Sequence, residues 1–220
     1  NVEGWFAGIK DTYERGSQGT AASAVANPPA APAQPGAAPA APVAPVAPAD
    51  PAETVKAIFA SVKHDQSVYI RLTGGSNASQ IYKSDYKFEI GKAIKLINGE
   101  DLLIIACGSM VKTALDCAKK LKEKNISSEV INMHTIKPID KKQLKKSMSR
   151  KKLIVTIEEH NIIGGLGSAV AEAMSEISES PKKISFGIND KYSKGGSYSY
   201  LKKKFGIDVD TITKKIQNEF

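Results

Sequence analysis

Cysteine, tryptophan and histidine are scarce in this chain, and each shortage removes a class of function. The two cysteines, Cys107 and Cys117, show no metal spacing and form no disulfide framework, so a reducing cytoplasm is the expected setting. The three histidines, His64, His134 and His160, stand far apart, and no metal cluster is expected. No apolar run approaches the roughly 20 residues that cross a bilayer, and no secretory leader is read, so no membrane association is expected. P-loop, nucleophile-elbow and kinase signatures are missing. Aromatics make up 6% of the residues and do not interleave with the lysines. The net charge of +8 therefore reads as a solvated surface rather than a nucleic-acid site. Lys119, Lys120, Lys122 and Lys124 are typical of it, spread along a helical face.

What is present falls into unlike pieces. Eight of the eleven prolines lie in the first 50 residues, together with a net charge of −2, and the rest is rich in Lys, Ile and Ser. Within residues 1–20, Val2, Trp5, Phe6, Ile9 and Tyr13 share one helical face, a short segment able to dock on a partner. Residues 21–51 read as a Pro/Ala-rich linker, extended and without a core of its own. Residues 52–77 hold one amphipathic helix, marked by Val55, Ile58, Phe59 and Val62, and one strand from Val68 to Leu72. One helix and one strand do not make a domain, so this piece reads as the end of a larger sheet. Arg71 sits at the strand's carboxyl end beside Gly74 and Gly75. It is either an ordinary surface arginine or a grip for phosphate.

From residue 86 to 220 the pattern is a doubly wound α/β domain. The expected strands are Leu102–Ala106, Val130–Met133, Leu153–Ile157 and Ile184–Ile188. Between them lie helices carrying Val111, Ala114, Leu115, Ala118 and Leu121, then Val170, Ala171 and Met174. Asp140 is placed to cap a short helix, and Asp208 to cap a last helix that turns Val209, Ile212 and Ile216 inward. Continuous apolar strands separated by amphipathic helices specify a mostly parallel sheet covered on both faces, a three-layer fold.

The densest chemistry follows the Leu153–Ile157 strand. Glu158 and Glu159 are adjacent, so on an extended backbone they point to opposite sides and cannot act as a facing acid–base pair. One is expected to accept donors of the glycine turn that follows; the other meets a neighbouring strand or subunit. His160 has no partner cysteine or serine at a suggestive spacing and reads as a hydrogen-bonding loop residue. Gly164, Gly165 and Gly167 precede a helix and lack the full dinucleotide fingerprint. Close strand-to-helix packing is expected there, with an anion held by the turn amides as the competing reading. No residue is assigned a catalytic role.

These motifs, taken in order, carry a resemblance. Phe88-Glu89-Ile90-Gly91-Lys92-Ala93, Ala106-Cys107-Gly108-Ser109-Met110-Val111, Asn132-Met133-His134-Thr135-Ile136-Lys137-Pro138-Ile139-Asp140, and Glu158-Glu159-His160 with Gly164-Gly165-Leu166-Gly167 together resemble the C-terminal domain of transketolase-like thiamine-diphosphate enzymes. The smaller subunit of split transketolases is the nearest form; 1-deoxy-xylulose-5-phosphate synthases and pyruvate dehydrogenase beta subunits share the domain. The resemblance implies that residues 52–77 are the tail of a pyrimidine-binding domain, and that Arg71 contacts substrate phosphate. It also implies thiamine diphosphate and magnesium in the complete enzyme. The Gly-Asp-Gly motif that holds them is missing, and Pro/Ala spacer stands where the pyrimidine domain is expected. The expectation is a C-terminal part that binds no cofactor itself and supports assembly with a cofactor-binding transketolase subunit or domain, in a homo- or hetero-oligomer. Glu158, Glu159, His160 and the three glycines then order the turn or an interface. The alternative is a tethered, non-catalytic module that docks a partner through residues 2–13.

Overall fold

A computed structural model describes residues 43–73 and 79–220. The apolar segment at residues 2–13, the linker up to residue 42 and the loop at residues 74–78 lie outside the described residues.

The main sheet has five strands: β3 (Ile94–Ile97), β4 (Leu102–Ala106), β5 (Ser128–Asn132), β6 (Leu153–Asn161) and β7 (Lys182–Ile188). Their spatial order is β3-β5-β4-β6-β7. β4 lies parallel to both neighbours, with Leu102–Ala106 opposite Ser128–Asn132 on one side and Leu153–Ile157 on the other. All five β4 residues are buried, as a central strand covered on both faces requires. Alternate residues feed two cores. Leu102, Ile104 and Ala106 meet Val111, Ala114 and Leu121 of α2 (Met110–Lys122) and Ile212 and Ile216 of α6 (Val209–Glu219). Leu103 and Ile105 face Leu144 of α3 (Lys141–Met148) and Leu166, Val170 and Met174 of α4 (Leu166–Ser175). The result is the expected three-layer, mostly parallel arrangement.

The helix caps follow from the sequence. Asp140 accepts from the Gln143 amide at 2.9 Å, and Asp208 accepts from the amides of Asp210 and Thr211. Ala171 is exposed, however, and Ala173 takes the inward place on α4. β3 is an addition to the expected strands. It runs antiparallel to β5 at the sheet edge, where Lys95 breaks its apolar pattern. That lysine turns to the buried Glu129 at 3.0 Å.

Ahead of the main sheet stands a small βαβ unit: β1 (Val43–Val46), α1 (Pro51–Val62) and β2 (Val68–Ile70), with β1 and β2 parallel. The last residues of the expected linker therefore belong to the fold. Val46, Ala47 and Ala49 are buried, and the Ala47 amide donates to the His134 carbonyl at 2.7 Å. The Ala/Pro composition conceals this strand because residues between prolines still make ladder hydrogen bonds. Asp50 caps α1 through the Glu53 amide and also accepts from the amides of Ile81 and Tyr82. The inner side of α1 buries Glu53 and Ala57, while the apolar stripe Ile58, Phe59 and Val62 faces out. Helical period reveals a stripe but not which side meets the body.

Candidate functional site

β6 is nine residues long and outruns β4, whose Ala106 pairs with Ile157. The overhang carries Glu158, Glu159 and His160 beyond the carboxyl edge of the sheet, beside the turns that open α2 and α4. In open α/β sheets this edge is where ligands bind.

Glu158 is buried and faces α4. Its Oε2 accepts from the Leu166 amide and its Oε1 from the Gly167 amide, each at 2.7 Å. The anion held by the turn amides is thus the chain's own carboxylate, at a helix N-terminus that favours negative charge. The carboxylate also dictates a glycine: a Cβ on Gly165 would stand 1.9 Å from Glu158 Oε2. Gly164 has φ +76°, a conformation side chains resist. Burial raises the titration of Glu158, opposed by the two backbone hydrogen bonds.

Glu159 points the other way. Its Oε2 accepts from the Ser109 hydroxyl and from the Tyr198 hydroxyl, the latter at 2.7 Å. Ser109 opens α2, and Tyr198 is the first residue of α5 (Tyr198–Phe205). Burial, with the Glu159 carboxylate adding to it, pushes the Tyr198 phenol up to about 12. The backbone carbonyl of Glu159 accepts from Arg71 Nη2 at 3.1 Å. Arg71 follows β2, and its amide donates to the Val46 carbonyl. His160 is exposed and spends Nδ1 on the neighbouring Asn161 carbonyl at 3.0 Å.

These groups border a cavity of about 20 Å³ lined by Ala47, Arg71, Thr73, Cys107, Gly108, Ser109 and Glu159. Such a volume holds about one water. The Cys107 thiol is buried and pushed up to about 12, so it is no ready nucleophile. Arg71 keeps an exposed guanidinium at the rim, able to meet an anion arriving from outside. The overhang thus unites Arg71, Glu159 and the α2 turn, while Glu158 with Gly165 and Gly167 forms a separate knot and His160 joins neither.

Sequence reasoning missed Ser109 and Tyr198. It also missed a second buried cluster around Glu53, whose oxygens accept from the Ala49 amide at 2.6 Å, Asn132 Nδ2 at 2.9 Å and the Tyr82 hydroxyl at 3.0 Å. The Asp50-x-x-Glu53 spacing, a capping-box pattern, was the available signal.

Among the described residues no group of three or more His, Cys, Asp or Glu side chains is arranged to hold a metal ion. The overhang cavity is far too small for thiamine diphosphate, and Glu53 has both oxygens filled. Neither the overhang cavity nor the Glu53 cluster fits that cofactor with its magnesium.

Residues 91–212 match the family "Transketolase, C-terminal domain". The chain belongs to this family. Among curated proteins it is 41% identical over 168 residues to a putative transketolase C-terminal section from Methanocaldococcus jannaschii, covering 76% of this chain and 52% of the relative. It is 38% identical over 161 residues to the 6-deoxy-6-sulfo-D-fructose transketolase subunit SqwH of a Clostridium species, covering 73% and 49%. The chain spans about half the length of the curated relatives it matches. Among solved structures, a split gene transketolase described as an inactive beta4 tetramer superposes with TM-score 0.72 at 35% identity, over 80% of this chain and 56% of that one. Transketolase from Campylobacter jejuni, at 19% identity and TM-score 0.57 over 79% of this chain and 26% of its own, agrees in fold. The transketolase C-terminal fold accounts for the five-stranded sheet and its flanking helices. No described helix is long and apolar enough to cross a membrane.

Proposed function

We propose that this chain is the assembly-supporting C-terminal part of a transketolase-type enzyme, which transfers ketol units between sugar phosphates. Thiamine diphosphate and magnesium are held by a separate subunit or domain, and this chain alone turns over no substrate. The observation that carries the reading is the use made of the charged overhang. Glu158 is consumed by the turn into α4 and Glu159 by Ser109 and Tyr198, so neither carboxylate of the overhang is free to act as an acid or base. A group that must move protons needs an open position within reach of substrate. Cofactor electronics carry ketol transfer, so a part that does not hold the cofactor contributes shape and contacts. The similar protein SqwH is named a transketolase subunit, and the similar solved chain is described as a split gene product that is inactive as a tetramer. Both fit a division of labour between parts. Within the complete enzyme Arg71 is the residue of this chain that meets substrate phosphate, as a guanidinium braced by the Glu159 carbonyl.

The test is a ketol-transfer assay of the purified chain with thiamine diphosphate, magnesium, a ketose phosphate donor and an aldose phosphate acceptor. The expected rate is that of the protein-free control. Sustained turnover by the chain alone overturns the proposal.

A further inference from the structure

Beyond Ile157 strand β6 loses its regular partners. On one side β4 ends, its Ala106 paired with Ile157. On the other side the register with β7 shifts between Ile157 and Asn161, which pair with Phe186 and Ile188. Glu158, Glu159 and His160 lie in this interval. Gly187 makes room for it: a Cβ there would stand 2.8 Å from the His160 carbonyl oxygen. Bulges of this kind re-aim side chains and recur next to functional sites. The regular ladder therefore does not set the aim of the Glu159 side chain; its own partners do.

The two ends of Glu159 do different things. Its backbone carbonyl accepts from Arg71 Nη2 at 3.1 Å. Its carboxylate Oε2 accepts from the Ser109 hydroxyl and, at 2.7 Å, from the Tyr198 hydroxyl. Arg71 and Glu159 line the same cavity of about 20 Å³, so the carboxylate stands within a side-chain rotation of the guanidinium. Carboxylate and guanidinium pair strongly, often through two hydrogen bonds, and an arginine so paired has lost the donors and the charge that take up an anion. We propose that Ser109 and Tyr198 are positioning residues that hold the Glu159 carboxylate away from Arg71 and so keep the guanidinium open for a phosphate ester. The inference rests on the reading above in which Arg71 meets substrate phosphate. Each donor sits at a fixed helix start: Ser109 opens α2, and Tyr198 opens α5, where Ser197 accepts from the Tyr200 amide. Neutral hydroxyls suit the task, because a lysine or arginine in their place would itself compete for the phosphate.

The experiment follows the Arg71 Nε–Hε resonance of the 15N-labelled full chain by NMR, with inorganic phosphate as the probe. Arg71→Lys identifies the resonance. The variants are Ser109→Ala/Tyr198→Phe, Glu159→Gln, and the triple combination, each checked for folding by far-UV circular dichroism. Without phosphate, the double variant should shift the resonance as Arg71 pairs with the released carboxylate, and the triple variant should return it to the wild-type position. With phosphate, the double variant should bind at Arg71 at least ~10-fold more weakly than wild type, and the triple variant within about twofold of it. Tyr198→Phe alone should show the same changes at smaller size, and it carries the test if the double variant does not fold. A resonance that stays in place in the folded variants overturns the inference, whatever phosphate does. So does a phosphate loss that Glu159→Gln fails to rescue, because a merely structural defect would persist without the carboxylate charge. A resonance that moves and returns as expected, but ignores phosphate in the wild type, supports the positioning and overturns instead the reading of Arg71 as a phosphate contact.

Discussion

Replacing Glu158 by alanine removes the acceptor of two buried amides, those of Leu166 and Gly167, each held at 2.7 Å. Leaving a buried donor without a partner costs about 1–3 kcal/mol, and these bonds are charge-assisted, so the two together predict a loss of roughly 3–5 kcal/mol. That is a large share of the 5–15 kcal/mol typical of a domain, so Glu158→Ala should unfold at markedly lower urea. Glu158→Gln keeps one acceptor and turns an NH2 group toward the second amide, for about half the loss. The two substitutions also differ in pH dependence. Burial raises the folded-state titration of Glu158 above its unfolded value. Such a carboxyl contributes stability that is fully present below the unfolded value and is lost as pH rises through the folded one. The stability gap between wild type and Glu158→Gln should therefore be wider near pH 5 than near pH 7. Urea titrations followed by circular dichroism at both pH values measure this. A loss below about 1 kcal/mol for Glu158→Ala refutes the cap, and a gap that widens as pH rises refutes the dominance of burial over the two backbone hydrogen bonds.

The Glu53 cluster makes a second prediction. Glu53→Leu removes the acceptor of the Ala49 amide and of the Tyr82 hydroxyl and leaves Asn132 Nδ2 only its bond to Tyr82, and should cost about 3 kcal/mol or more in urea unfolding. Burial also raises the titration of Glu53, so the penalty of Glu53→Gln should likewise shrink from pH 5 to pH 7; a penalty that is flat across that range contradicts the burial argument. At the overhang, Tyr198→Phe removes one of the two hydroxyls on Glu159, exposed at one end, and should lower stability by about 1 kcal/mol or less. Tyr198→Phe should also leave the wild-type circular dichroism spectrum unchanged; a loss above about 3 kcal/mol would mean that α5 is anchored chiefly through this phenol.

Legibility in the sequence followed physical range. Leu102–Ala106 and Leu153–Ile157 were readable because a central parallel strand is apolar on both faces. The opposite directions of Glu158 and Glu159 followed from strand alternation alone. β3 was hidden by Lys95, whose outward turn at a sheet edge is answered by Glu129 from another strand. β1 was hidden by its alanines and prolines, since main-chain pairing leaves little trace in composition. The partners of Glu159, Ser109 and Tyr198, lie 50 and 39 positions away, and no local pattern links them. The stripe on α1 was visible as a stripe, but that it faces outward is a matter of tertiary placement.

Under the proposed function, this C-terminal transketolase-family part does not itself hold the cofactor. Isothermal titration of thiamine diphosphate with magnesium into the purified chain tests it most directly. The expected heats equal those of dilution; saturable one-to-one binding overturns the proposal.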